Sequence, residues 1–340
     1  MNALREKKWI VIGMVFILAC LSVYGIAHRK GVMHFVRERR DLMSECVPVL
    51  AYHGFVPEKV KNELFRDNKW IDDIEGFEKQ MKYLHDNHWR TLTADEFYDW
   101  HEGKSDVPEK SCMITFDDGY RSNYDIAYPI LQKTGMKAVI ALIGKSIRAN
   151  DNTEANRFFL KWDEAAEMAD SGLVELASHT YNLHNPQYGG LTAPDGINGI
   201  QRLKGESQAA YNKRVGEDLK QSIDLITQNT SQKNVLFFAY PFGARDEWMQ
   251  PLLQKNGIQV SVLTNTGTAS IRRRLTDLPR YRITMDTKLS DILPANPNAS
   301  HDITVRAHMP TMIKNEKIRQ EVARHLPAQE ITIKIPKSYT

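Results

Sequence analysis

What most constrains this chain is a series of short apolar runs, each stopping abruptly at a polar or turn residue and followed by a stretch of helical character. The clearest is Cys112-Met-Ile-Thr-Phe-Asp-Asp-Gly-Tyr120, which reads as a buried strand delivering Asp117 and Asp118 to a turn. Val47-Pro-Val-Leu-Ala-Tyr-His53 ends in a histidine, and Val174-Glu-Leu-Ala-Ser178 runs into His179. Asn234 to Tyr240 runs into the turn Tyr240-Pro-Phe-Gly243, and further strands are expected over 136–143 and 259–263. Between them, Phe77, Met81 and Leu84 fall at helical spacing, predicting a helix over 74–88. Thr93-Ala-Asp-Glu96 matches a capping box that opens another. Helices are also expected over 124–133, 162–171, 209–228 and 247–255, with loops over 54–73 and 185–207. Alternating strands and helices predict an α/β fold around a parallel sheet, and about seven strands suit a closed or nearly closed barrel. In such folds ligands gather at the C-terminal ends of strands. His53, Asp117 with Asp118, His179 and the Tyr240 turn all fall at that end.

The N-terminus carries a second signal. From Trp9 to Ala27 there is no charged residue, and these positions span about 28 Å as a helix, close to the ~30 Å core of a bilayer. Basic residues flank both sides, so charge alone does not orient the span. A cleaved signal peptide, or a lipoprotein signal ending at Ile17-Leu-Ala-Cys20, are the rival readings. The apolar run continues past Cys20 and no small-x-small site follows, which favours an uncleaved anchor. The expected organisation is a cytoplasmic tail (1–8), a transmembrane anchor (9–27), a stalk (28–45), a catalytic domain (46–300) and a C-terminal extension of unassigned role (301–340). Cys46 and Cys112 sit at strand starts, where burial as small hydrophobes is expected and one disulfide is optional. A net charge of +3 over 340 residues argues against nucleic acid as a partner.

An isolated Asp-Asp-Gly also reads as a surface turn, and any one histidine as an ordinary core or surface residue. His179 and His184 lie five residues apart, about 140° apart on a helix and on opposite faces of a strand, so they share a metal only if the segment is a loop. With Asp118 they would make a two-imidazole, one-carboxylate set that leaves a position open on zinc or another first-row divalent ion. Hydrolysis of an amide or ester then needs a base and an acid, for which Asp117 and His53 are the candidates. Peptide N–H groups near Tyr120 are candidates for holding an oxyanion.

Thr115-Phe-Asp-Asp-Gly119 with Ser178-His179-Thr180 and the following His184 resembles the polysaccharide deacetylase superfamily over roughly residues 46–290. The resemblance implies a distorted (β/α)7 barrel that removes acetyl groups from sugars, with Asp117 as base and Asp118, His179 and His184 as ligands of a divalent metal ion, zinc first among them. Three departures narrow it. The histidines are spaced His-x4-His rather than His-x3-His. Ala239 stands where relatives carry an arginine that orients the base, making Arg280 and Arg282 the candidate replacements. The acid histidine is expected early, at His53, with His308 the weaker candidate. These features are similar to the poly-β-1,6-N-acetylglucosamine deacetylases of biofilm formation, including the intercellular adhesion type. That resemblance implies a membrane-anchored enzyme with its catalytic domain outside the cell. Its partners would be an N-acetylglucosamine polymer, the membrane, and exopolysaccharide synthesis and export machinery. A peptidoglycan or chitin-oligomer deacetylase, or a weakly active polymer-binding protein, are the alternatives. Tyr120, Tyr181, Tyr240 and Phe242 suit either sugar stacking or core packing.

Overall fold

A computed structural model describes residues 46–105, 110–147, 157–185, 199–270, 275–293, 302–306 and 330–334. The expected tail, anchor and stalk, and His308, lie outside these residues. Among the described residues no helix is long and apolar enough to cross a membrane.

The first unit runs to Thr287 and the second from Lys288 to Thr340. In the first, a parallel sheet takes the order β10-β9-β8-β7-β6-β2-β12, with β5 beside β6. Its strands are β2 (Val49–Tyr52), β5 (Arg90–Thr91), β6 (Ser111–Phe116), β7 (Ala138–Leu142), β8 (Val174–Ser178), β9 (Phe237–Ala239), β10 (Val260–Val262) and β12 (Tyr281–Arg282). β6, β7 and β8 are buried at every position, as strands covered on both faces must be. β1 (Cys46–Val47) pairs antiparallel with β11 (Ala269–Ser270). The helices are α1 (Glu58–Leu64), α2 (Ile74–Asp86), α3 (Ala94–His101), α4 (Tyr128–Thr134), α5 (Trp162–Asp170), α6 (Gln208–Asn229) and α7 (Met249–Lys255). The capping box read at Thr93 and Glu96 is present and opens α3.

The sheet curls so far that its two edges meet through one stretch of chain. Leu278 exchanges hydrogen bonds with Ser261 and Leu263 along β10, and three residues later Tyr281 pairs with Leu50 of β2. Inside the curl, Val49, Met113, Val139, Ala177, Phe237 and Val260 form one cluster with Phe97 and Trp100 of α3. Each large apolar side chain buried there contributes roughly 1.5–3 kcal/mol. Beneath it the side chain of Glu175 accepts from the N–H groups of Ala94 (2.6 Å) and Asp95 (3.2 Å), satisfying two donors that the first turn of α3 leaves without an intrahelical partner. The second unit contains α8 (Leu289–Ile292) and an antiparallel pair, β13 (Asp302–Arg306) with β14 (Glu330–Lys334).

Two expectations are corrected. The supposed loop 54–73 holds α1 and a parallel pair, β3 (Gly54–Val56) with β4 (Ile71–Asp73). Three-residue strands and a seven-residue helix are too short to show a period. The 234–240 run is strand only at 237–239. Cys112 is free and buried as the small hydrophobe expected of it, and that burial pushes its thiol up to about 12.

Candidate active site

Strand parity fixes which side chains face the interior, because residues two apart share a face. Val49, Met113 and Ala177 belong to the inner cluster, so His53, Asp117 and His179 continue the same faces beyond the strand ends. The Asp-Asp-Gly turn then re-aims its second carboxylate. Asp118 has φ +75° and Gly119 φ +78°, a region aspartate tolerates and glycine enters freely. A Cβ on Gly119 would lie 2.8 Å from Leu142 Cδ2 and 3.0 Å from Ile147 Cδ1, so any other residue would have to displace those side-chain ends as well as hold a positive φ.

Asp118 faces two imidazoles. Its Oδ1 is 3.5 Å from His179 Nε2 and 3.3 Å from His184 Nε2, and one ligand atom from each of the three residues lies within 4.8 Å of the others. His179 Nδ1 is 2.7 Å from the carbonyl of Ala239, to which it donates, leaving Nε2 as a free lone pair. Burial holds His179 down at about 3 and lowers His184, so both are neutral at pH 7. Burial, with the neighbouring Asp117 charge, pushes Asp118 up to about 7 despite a hydrogen bond from Tyr120. Three lone-pair donors therefore converge, and two nitrogens with one oxygen fit a first-row divalent ion.

The His179–His184 segment is a loop, as sharing an ion requires. Thr180 takes φ +73°, an uncommon choice for a β-branched residue. The bend is held from α6, where the Asp218 carboxylate accepts from the N–H groups of Tyr181 (2.8 Å) and Asn182 (2.7 Å). One turn further on, Ser222 Oγ lies 2.8 Å from Ser178 Oγ. No local signal in the sequence linked Asp218 to this loop 36 residues away.

Asp117 is compensated where Asp118 is not. Arg280, 1% exposed, donates from Nη1 to Oδ1 (2.8 Å) and from Nη2 to Oδ2 (2.7 Å). It also donates to Thr115 Oγ1 and to the Leu263 carbonyl. Burial alone would raise the Asp117 carboxyl, but the guanidinium outweighs it and holds the group well below the usual carboxylate range. Arg280 thus makes the contact to Asp117 that Ala239 cannot, while Arg282 lies 5.3 Å from the ring of Trp70. His53 Nε2 is 3.9 Å from Asp117 Oδ2, and burial lowers His53 to about 4. Trp70, 42% exposed, stands 4.7 Å from the His53 ring and was not anticipated.

The aromatic candidates divide. Phe242 is 53% exposed and 4.6 Å from the His184 ring. Tyr120 and Tyr181 are half-buried, and Tyr120 stacks on Phe159 at 5.3 Å. Tyr240 is corrected to a core residue: at 1% exposure, edge-on to Phe238, it leaves no face for a sugar. Of the N–H groups near Tyr120, that of Arg121 is already taken by the Phe158 carbonyl at 2.7 Å.

The family model described as polysaccharide deacetylase matches residues 104–261. YxkH of Bacillus subtilis, provisionally named a polysaccharide deacetylase, is 32% identical over 70% of this chain and 71% of its own length. The poly-beta-1,6-N-acetyl-D-glucosamine N-deacetylase of Escherichia coli O157:H7 is 26% identical over 89% of this chain. The match spans only 45% of that longer protein. Among solved structures, a de-N-acetylase from Aggregatibacter actinomycetemcomitans superimposes with a TM-score of 0.61 at 26% identity, covering 73% of this chain and 98% of its own.

Proposed function

The chain belongs to the polysaccharide deacetylase family, and from that premise we propose that it is a metal-dependent N-deacetylase of an exported poly-β-1,6-N-acetylglucosamine. The observation that carries the proposal is the convergence of Asp118, His179 and His184 beside an Arg280-held Asp117, with His53 at the neighbouring strand end. The curled sheet and its helices are read as a distorted (β/α)7 barrel over 46–300. We further propose that residues 9–27 anchor the enzyme in the membrane with the barrel outside the cell.

A divalent ion held by Asp118, His179 and His184, with zinc the first choice, would supply Lewis acidity and bring the pKa of water from 15.7 to about 7. Asp117 takes the proton of the attacking water, and Arg280 keeps its carboxylate ionised and aimed until then. His53 is neutral at pH 7, so it must receive a proton before it can give one to the leaving nitrogen. Its Nε2, 3.9 Å from Asp117, is placed to receive that proton. His179 keeps its ring fixed through the Ala239 carbonyl. The alternative of a catalytically poor, polymer-binding barrel rested on the arginine missing at 239, and Arg280 removes that ground.

The purified chain should release acetate from β-1,6-linked N-acetylglucosamine oligomers, lose that activity to a chelator and regain it with zinc. Acetate from peptidoglycan or chitin oligomers but not from this substrate would overturn the polymer assignment and favour the corresponding deacetylase.

A further inference from the structure

A cavity of about 360 Å³ opens on the acid side of the site, lined by His53, Trp70, Thr264, Thr266, Arg280 and Arg282. Its tryptophan wall is built in from behind. Lys61, 5% exposed, donates to the carbonyls of Phe65 (2.9 Å) and Asn68 (2.5 Å). The Trp70 N–H is taken by Asn68 Oδ1 at 2.8 Å, and its carbonyl accepts from Gly54 at 3.2 Å. The lining has two guanidinium groups and no carboxylate. Arg280 is neutralised by Asp117, whereas Arg282 is exposed. The acid that acts on Arg282 from behind is Asp72, 4% exposed, whose carboxyl burial pushes up to about 7, so at neutral pH it carries only part of a charge.

We propose that this cavity receives the sugar unit next to the one being deacetylated, and rejects that unit when it already carries a free ammonium group. The inference rests on the deacetylase reading above. When the amide bond breaks, its nitrogen leaves on the His53 side still attached to its sugar ring. The polymer units joined to that ring lie toward the same side, where this cavity opens. An indole face suits the apolar face of a pyranose. Arg282 and the hydroxyls of Thr264 and Thr266 can donate to hydroxyl and acetamido oxygens. An acetylated neighbour is neutral and offers an acceptor. A deacetylated one brings a cation against a guanidinium, with no acid in the lining to receive it. The enzyme therefore spaces its products along the chain instead of clearing a run of neighbouring units.

The test compares kcat/KM for acetate release by the metal-loaded full chain on three β-1,6 trisaccharides. One is fully acetylated, and the other two carry a free amine on one terminal unit or the other. One amine isomer should react roughly tenfold less efficiently than the fully acetylated form, a difference of about 1.4 kcal/mol. Arg282→Gln should bring that ratio below about threefold, Arg282→Lys should keep it, and Thr266→Asp, which puts an acid into the lining at an exposed position, should lower it. Equal efficiency on all three substrates, or an unchanged ratio in both Arg282→Gln and Thr266→Asp, overturns the inference alone. No acetate from any trisaccharide overturns the deacetylase reading and this inference with it.

Discussion

Two neighbouring carboxylates, Asp117 and Asp118, are buried side by side and live in opposite electrostatic worlds. Asp117 meets a planar guanidinium through two short hydrogen bonds and stays ionised. Asp118 faces two neutral imidazoles and a Tyr120 hydroxyl, with no guanidinium paired to it, and burial pushes it up to about 7. They are consecutive in the chain, so the difference comes from the strand parity and the left-handed turn that send the two side chains to different partners. A compensated carboxylate can wait for a proton, and an uncompensated cluster can wait for a cation. The site is divided by charge before any ligand arrives.

That division is open to attack from either side, and the largest effects should fall on turnover. Asp117→Asn should lower kcat by roughly 10²–10⁴ while metal content measured after dialysis stays at the wild-type level. His179→Ala should lose comparable activity together with the metal. If Asp117→Asn lost its metal as well, the two carboxylates would not be separate devices. Arg280→Met leaves the Asp117 charge buried and alone, at a cost of about 3–5 kcal/mol in denaturant unfolding. A cost below ~1 kcal/mol would mean that Arg280 does not compensate Asp117. Asp218→Ala releases the two N–H groups that shape the histidine loop, and should weaken metal affinity 10- to 100-fold in competition with a chromophoric chelator. Unchanged affinity would confine Asp218 to a structural role. The smallest effect is on pH. Below about 7 a metal must displace the Asp118 proton, whereas the histidines are already neutral. Affinity should therefore fall about tenfold for each pH unit below 7 and level off above it. A flat profile from pH 5 to 7 would show that Asp118 is already ionised without metal.

The sequence exposed one half of this division far better than the other. β6 is a continuous apolar run that breaks at Asp-Asp-Gly, and His179 directly follows another such run, so burial and placement could be read locally. Arg280 could be narrowed only to one of two candidates, because its partner lies 163 residues away and nothing local distinguishes it from Arg282. Trp70 was hidden in a charged segment whose strands are three residues long. Tyr240 was left between sugar stacking and core packing, and it proved to be core. At a strand end an aromatic ring can turn inward or outward, and only the surrounding packing decides.

The guanidinium that neutralises Asp117 is borne by the same short stretch that joins the two edges of the sheet. As the chain emerges in synthesis, the Asp-Asp turn exists long before residue 280 does, and until then one of its carboxylates has no counter-charge to be buried against. Ring closure and charge neutralisation thus fall to the same few residues, 278 to 281. Appearance of the Asp117–Arg280 pair would time the final step of assembly.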